Sequence, residues 1–118
     1  MKDRQADADL SFMERKSLEQ ICFGTYQLQL NFSESVSLNL ESRLVLTTAE
    51  NEVFDLRQPY TQADPLLNLL GSEVISAWAE ANGDLSVEFS NNDTLKIMND
   101  NAEFESYQIM NGSSSIIV

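Results

Sequence analysis

The 118 residues contain no histidine and a single cysteine. Without an imidazole there is no Ser-His-Asp or Cys-His-Asn nucleophile site, no histidine general base and no His-containing zinc site. The lone thiol, Cys22, has no partner for an internal disulfide. Its neighbours Ile21 and Phe23 make a buried, inert thiol the expectation. The four glycines, Gly24, Gly71, Gly83 and Gly112, are isolated from one another, so no glycine-rich phosphate loop can form. Basic residues are also scarce: seven Lys and Arg stand against 19 Asp and Glu, a net charge of −12. That sign repels phosphate backbones and anionic membrane surfaces, which argues against direct nucleic-acid or membrane binding. No apolar run approaches the ~20 residues that span a bilayer. The polar N-terminus, the single cysteine and the missing export signal lead to a cytoplasmic expectation. One tryptophan is too little aromatic surface for a saccharide cleft, which counts against glycosidase chemistry on paired carboxylates.

What is present suffices for a core. Hydrophobic residues make up 42% of the chain and charged residues 22%, so acidity does not imply disorder. The length fits one domain, since domains most often run to ~100–150 residues. Residues 1–10 lack periodicity and read as a flexible arm, leaving residues 11–118 as a single β-rich domain. The arm region is electrically balanced, with four acids and four bases in residues 1–16. The folded body therefore carries the whole excess, and residues 58–118 hold the larger share.

Periodicity divides the body further. Phe12, Met13, Leu18, Ile21 and Cys22 have spacings compatible with a short amphipathic helix ended by Gly24. After it the period becomes two. Leu28, Leu30 and Phe32 alternate with Gln29 and Asn31, and Val36, Leu38 and Leu40 alternate with Ser37 and Asn39, predicting an antiparallel hairpin. Residues 43–47 and 52–57 predict two more strands. Residues 64–71 predict a second short helix, with Asp64 as N-cap, Pro65 at the first helical position and Gly71 past the end. Residues 74–81 and 85–89 then flank Asn82-Gly83, a strong hairpin signal read here as a type I′ turn. Further strands are expected at 94–98, 104–110 and 115–118.

Shifting the chain by 47 positions lays Ser17 on Asp64 and Gly24 on Gly71. This suggests an internal duplication, with pseudo-repeats at about 17–63 and 64–118. The fold class expected is α+β, mostly antiparallel β in a sandwich or half-barrel, with two short helices.

No cofactor or metal site is expected. The acidic loop at 100–105 lacks the spacing of a calcium-binding loop, and a solvated loop is its plain reading. Trp78 reads either as core or as an exposed interface anchor. Glu80, Asp84, Glu88 and Asp93 cluster along the hairpin that Trp78 begins, with Glu103 and Glu105 in the loop beyond. These six are the candidate contact residues for a basic partner, although carboxylates that only maintain solubility would give the same pattern.

The segments Leu66-Leu-Asn-Leu-Leu-Gly-Ser-Glu-Val74, Asn82-Gly-Asp-Leu-Ser-Val-Glu-Phe89, Asp93-Thr-Leu-Lys-Ile97 and Phe104-Glu-Ser-Tyr107 resemble an uncharacterised family of small bacterial domains. That resemblance implies a β-rich fold and supplies no catalytic residue. In profile the whole chain also resembles the immunity proteins of bacterial contact-dependent inhibition and related toxin systems, which are small, acidic and cytoplasmic. This second resemblance implies a non-enzymatic protein that blocks a nuclease toxin, its carboxylates occupying the cleft that grips phosphates. The alternative is a structural or regulatory interaction domain, or a homodimer, that pairs through its apolar C-terminal edge strand.

Overall fold

Among the described residues, alternation of apolar and polar residues produces ten strands in two five-stranded antiparallel sheets. The computed structural model describes residues 10–57, 60, 63–99, 107–112 and 114–117, the last four as backbone alone. In the first sheet the order is β1 (Leu18–Phe23), β2 (Leu28–Phe32), β3 (Val36–Leu40), β9 (Tyr107–Asn111) and β10 (Ser114–Ile117). In the second it is β5 (Val53–Leu56), β4 (Leu44–Thr47), β8 (Thr94–Ile97), β7 (Leu85–Phe89) and β6 (Val74–Ala79). Leu28, Leu30, Leu38 and Leu40 from one sheet meet Leu44, Leu46, Val87, Phe89 and Leu95 from the other in a single buried cluster. At its centre the Phe32 and Phe89 rings stack with centroids 6.4 Å apart. The described part of the protein is thus mostly antiparallel β.

Two helical expectations are corrected. Residues 11–23 hold only a 3-10 turn, η1 (Ser11–Met13), followed by strand β1. Leu18 and Ile21 looked helical because they are three apart. In the strand, a register shift between Leu18 and Gln20 turns both toward the core side, where Leu18 is buried and Ile21 partly so. A bulge therefore imitates helical spacing. A lone helix this short is marginal, and pairing with β2 offers a full ladder instead. A 3-10 turn, η2 (Ser33–Ser35), joins β2 to β3, and the second segment, η3 (Asp64–Leu69), is a 3-10 helix with Pro65 in its first turn, where Asp64 makes no capping bond. Leu10, placed in the flexible arm by its sequence context, is buried in the core at 3% exposure. Residues 1–9 lie outside the described residues.

The hairpin turn at Asn82-Gly83 is also not type I′. Only Gly83 has positive φ, at 94°. The Gly83 N–H donates to the Glu80 carbonyl and the Glu80 N–H to the Asp84 carbonyl, the pattern of a type I turn closed by a left-handed residue. The positive φ favours glycine there, and a Cβ would in addition displace the Asn99 side-chain amide. Residues 89–93 repeat this pattern with Asn92 left-handed, and residues 48–52 repeat it with Asn51.

A pseudo-two-fold relates the halves of the molecule, at a shift of 56 to 57 residues instead of 47. Ser17 and Glu73 form an isolated antiparallel bridge between the sheets. Around it every bond has a counterpart: Arg15 N–H to Val74 O matches Gly71 N–H to Leu18 O, and Val74 N–H to Lys16 O matches Leu18 N–H to Ser72 O. Ser33 Oγ caps the Ser17 N–H as Ser90 Oγ caps the Glu73 N–H. The bulge of β1 at Leu18/Gln20 recurs in β6 at Val74/Ser76. Each half then gives its last two strands away. β4 and β5 join β6–β8, while β9 and β10 join β1–β3. The 47-residue shift fails because it superposes strand β1 on helix η3.

Candidate functional site

Register and burial sort the six sequence-derived contact residues into three groups. Asp84 and Asp93 are buried, at 4% and 6% exposure, and that corrects their assignment to a contact surface. Each closes an Asn-x-Asp turn. The Asp84 N–H donates to Asn82 Oδ1, while its carboxylate accepts the Asn99 N–H at 2.7 Å and Asn82 Nδ2 at 3.2 Å. The Asp93 N–H likewise donates to Asn91 Oδ1, and its carboxylate accepts the Ala49 N–H at 3.1 Å and Asn91 Nδ2 at 3.0 Å. The two aspartates staple neighbouring loops to the hairpin ends. The two local turns were legible in the sequence as Asn-x-Asp motifs nine residues apart, but the distant loops that they staple were not.

Glu80 and Glu88 form the second group and share the outer face of the second sheet with Trp78. The β6–β7 register pairs Trp78 with Ser86 and Ser76 with Glu88. Glu80 accepts from Ser86 Oγ at 2.9 Å and pairs with Lys96 Nζ at 3.5 Å. Glu88 accepts from Ser76 Oγ at 3.2 Å. Trp78 is 44% exposed, so it is not a core residue. The bulge moves Val74 and Ala77 to the core side and leaves Ile75 at the surface, 49% exposed. Glu103 and Glu105, the third group, lie outside the described residues, as does the acidic loop around them.

Cations on the described surface are mostly engaged. Arg43 and Arg57 both reach Asp55, at 3.0 and 3.3 Å, and Lys16 reaches Glu34 at 3.8 Å. The Arg43 hydrogen bond, assisted by Arg57, holds the Asp55 carboxyl below its ordinary value although burial opposes this. Glu14, Glu19, Glu41, Glu50, Glu52 and Glu73 are exposed and make no ion pair among the described residues.

Cys22 is exposed on the outer face of β1, near Asn31 Nδ2 at 3.8 Å, which corrects the expected burial. It lines a shallow depression with Phe23, Gly24, Gln27 and Gln29 on the other sheet from Trp78. Tyr107 is buried, and its hydroxyl donates to the Gly83 carbonyl at 2.8 Å. Burial and then the Asp84 carboxylate push this phenol well above its ordinary value of 10.0. Among the described residues no three Cys, Asp or Glu converge to hold a metal ion, and no helix is long and apolar enough to cross a membrane.

No curated protein and no solved structure shows significant similarity to the chain. One family model does match it, from Leu10, the first described residue, to the C-terminus. On this match over residues 10–118 the chain belongs to a family of unknown function, DUF6188.

Proposed function

We propose that this protein is a non-enzymatic binder that neutralises a basic protein partner, in the manner of a cytoplasmic immunity protein blocking a nuclease toxin. One observation carries the reading. The chain has a net charge of −12, and its described cations are largely spent on Asp55, Glu34 and Glu80, so most surface carboxylates are uncompensated. Such a surface attracts a basic protein and raises encounter rates to ~10⁸–10⁹ M⁻¹s⁻¹ at low salt. A nuclease that grips phosphates carries a complementary basic cleft. Glu80 and Glu88 beside exposed Trp78 are the first contacts to test, with Glu103 and Glu105 as further candidates. The experiment is inhibition of a basic nuclease domain encoded next to this chain. Stoichiometric inhibition supports the reading, and full nuclease activity in the presence of excess protein refutes it.

A second reading, pairing through the C-terminal strand, is favoured by the position of β10 at an edge of the first sheet. Partner binding that survives deletion of residues 114–118 would count against it.

A further inference from the structure

The two halves of the chain already complete each other's sheets. β4 and β5 follow β3 in sequence yet pair in the sheet of β6–β8, and β9 and β10 cross in the other direction. An acceptor strand therefore recognises its hairpin through a ladder and buried side chains, not through chain continuity. Tyr107 and Ile109 of β9 lie opposite Leu40 and Leu38 of β3, as Leu44 and Leu46 of β4 lie opposite Ile97 and Leu95 of β8, and all eight are buried. A second copy of this chain carries the same residues in the same register.

The two crossovers differ in length. Nine residues, 98–106, lie between β8 and β9, whereas three, 41–43, lie between β3 and β4. Leu40 and Leu44 are fully buried in opposite sheets, so the shorter crossover must span the gap between them. Four steps of chain at ~3.3–3.6 Å reach at most ~14 Å, and face-packed sheets stand ~10 Å apart. Little slack is left. The Tyr60 hydroxyl donates to the Ser42 carbonyl, but the Ser42 side chain is buried and its hydroxyl has no partner among the described residues. A buried hydroxyl without a partner destabilises the closed crossover. Short hinges of this kind favour exchange between copies over closure within one.

We propose that two copies of this protein exchange their segments up to Leu40 by opening at residues 41–43. η1 and β1–β3 of one copy then pack on β4–β10 of the other, and the β3–β9 ladder forms between chains. The contacts outside the hinge are kept, so the exchange needs no new apolar surface. The hinge straightens and gives the Ser42 hydroxyl to water. Charge opposes the step, because two chains of −12 are brought together. Salt screens that repulsion and favours the dimer, whereas it slows capture of a basic partner. The two effects have opposite sign, so the exchange and the proposed function stand or fall separately.

The test refolds the full chain at high protein concentration and separates the products by size, with mass measured on the eluate. The expected product is a dimer that survives dilution and whose share rises about threefold from low to high salt. Inserting Gly-Ser-Gly after Ser42 adds slack and should cut that share about fivefold, while the same insertion after Asn101 leaves it unchanged. Exchange is read directly from two variants, Cys22→Ser/Ser37→Cys and Cys22→Ser/Met110→Cys, since Ser37 and Met110 are register partners on β3 and β9. Refolded together they should form mainly the mixed disulfide, and far less of it when mixed after folding. A chain that stays monomeric at every concentration and salt, a dimer that separates at once on dilution, a dimer unaffected by the insertion after Ser42, or no excess of the mixed disulfide over like-with-like pairs would each overturn the exchange.

Discussion

Asp84 and Glu88 lie four residues apart in one hairpin, yet the fold asks opposite things of them. The Asp84 carboxylate is buried and accepts the Asn99 N–H, so Asp84→Ala leaves buried donors unpaired and should cost about 1–3 kcal/mol in chemical denaturation. Glu88→Gln keeps the acceptor for Ser76 at a half-exposed site and should change stability by less than about 0.5 kcal/mol. Equal effects would reverse the assignment of Asp84 as a staple and Glu88 as surface. Tyr107 adds a pH signature. Its folded-state pKa is raised, so its contribution is complete below the unfolded phenol's value of 10.0 and is lost as pH rises through the folded-state value. Stability of the native chain should fall as pH climbs above 10.0, and Tyr107→Phe should flatten that fall. The same variant should cost about 1–3 kcal/mol at neutral pH, because the buried Gly83 carbonyl loses its donor.

At the scale of elements, the hairpins were legible and the helices were not. Residues 28–32 and 36–40 each alternate without interruption, so period two specifies β2 and β3 on either side of the turn at Ser33–Ser35. Bulges defeat such counting, because one extra residue converts an alternation into the three-residue spacing of Leu18 and Ile21. The same insertion hid the side of the sheet on which Trp78 lies. Glu80 and Glu88 could be placed outward by alternation, but the burial of Asp84 and Asp93 depends on loops distant in sequence. The pseudo-two-fold predicts a matched pair of effects. Arg15 and Gly71 are equivalent, with φ of 69° and 85°. A side chain in that region costs roughly 1–2 kcal/mol, and a Cβ at Gly71 meets nothing within 4 Å. Gly71→Ala should therefore destabilise by about 1 kcal/mol through backbone strain alone, and Arg15→Gly should stabilise by up to about 1 kcal/mol. Thermal melts of the two variants check this, and shifts of the same sign would break the equivalence.

For the molecule as a whole, the exchange of β4–β5 against β9–β10 locks the halves together, so neither half can close its own sheet. One consequence is that the described acidic surfaces of both halves belong to one interlocked body. The central claim is that this charge drives recognition of a basic protein. It is tested most directly by the association rate with a basic nuclease domain that the protein inhibits, followed from low to high salt for the native chain and for Glu80→Gln/Glu88→Gln. The account predicts an on-rate that falls at least tenfold across the titration, with a shallower slope for the double variant. An on-rate indifferent to salt, or a double variant with the native slope, would contradict it.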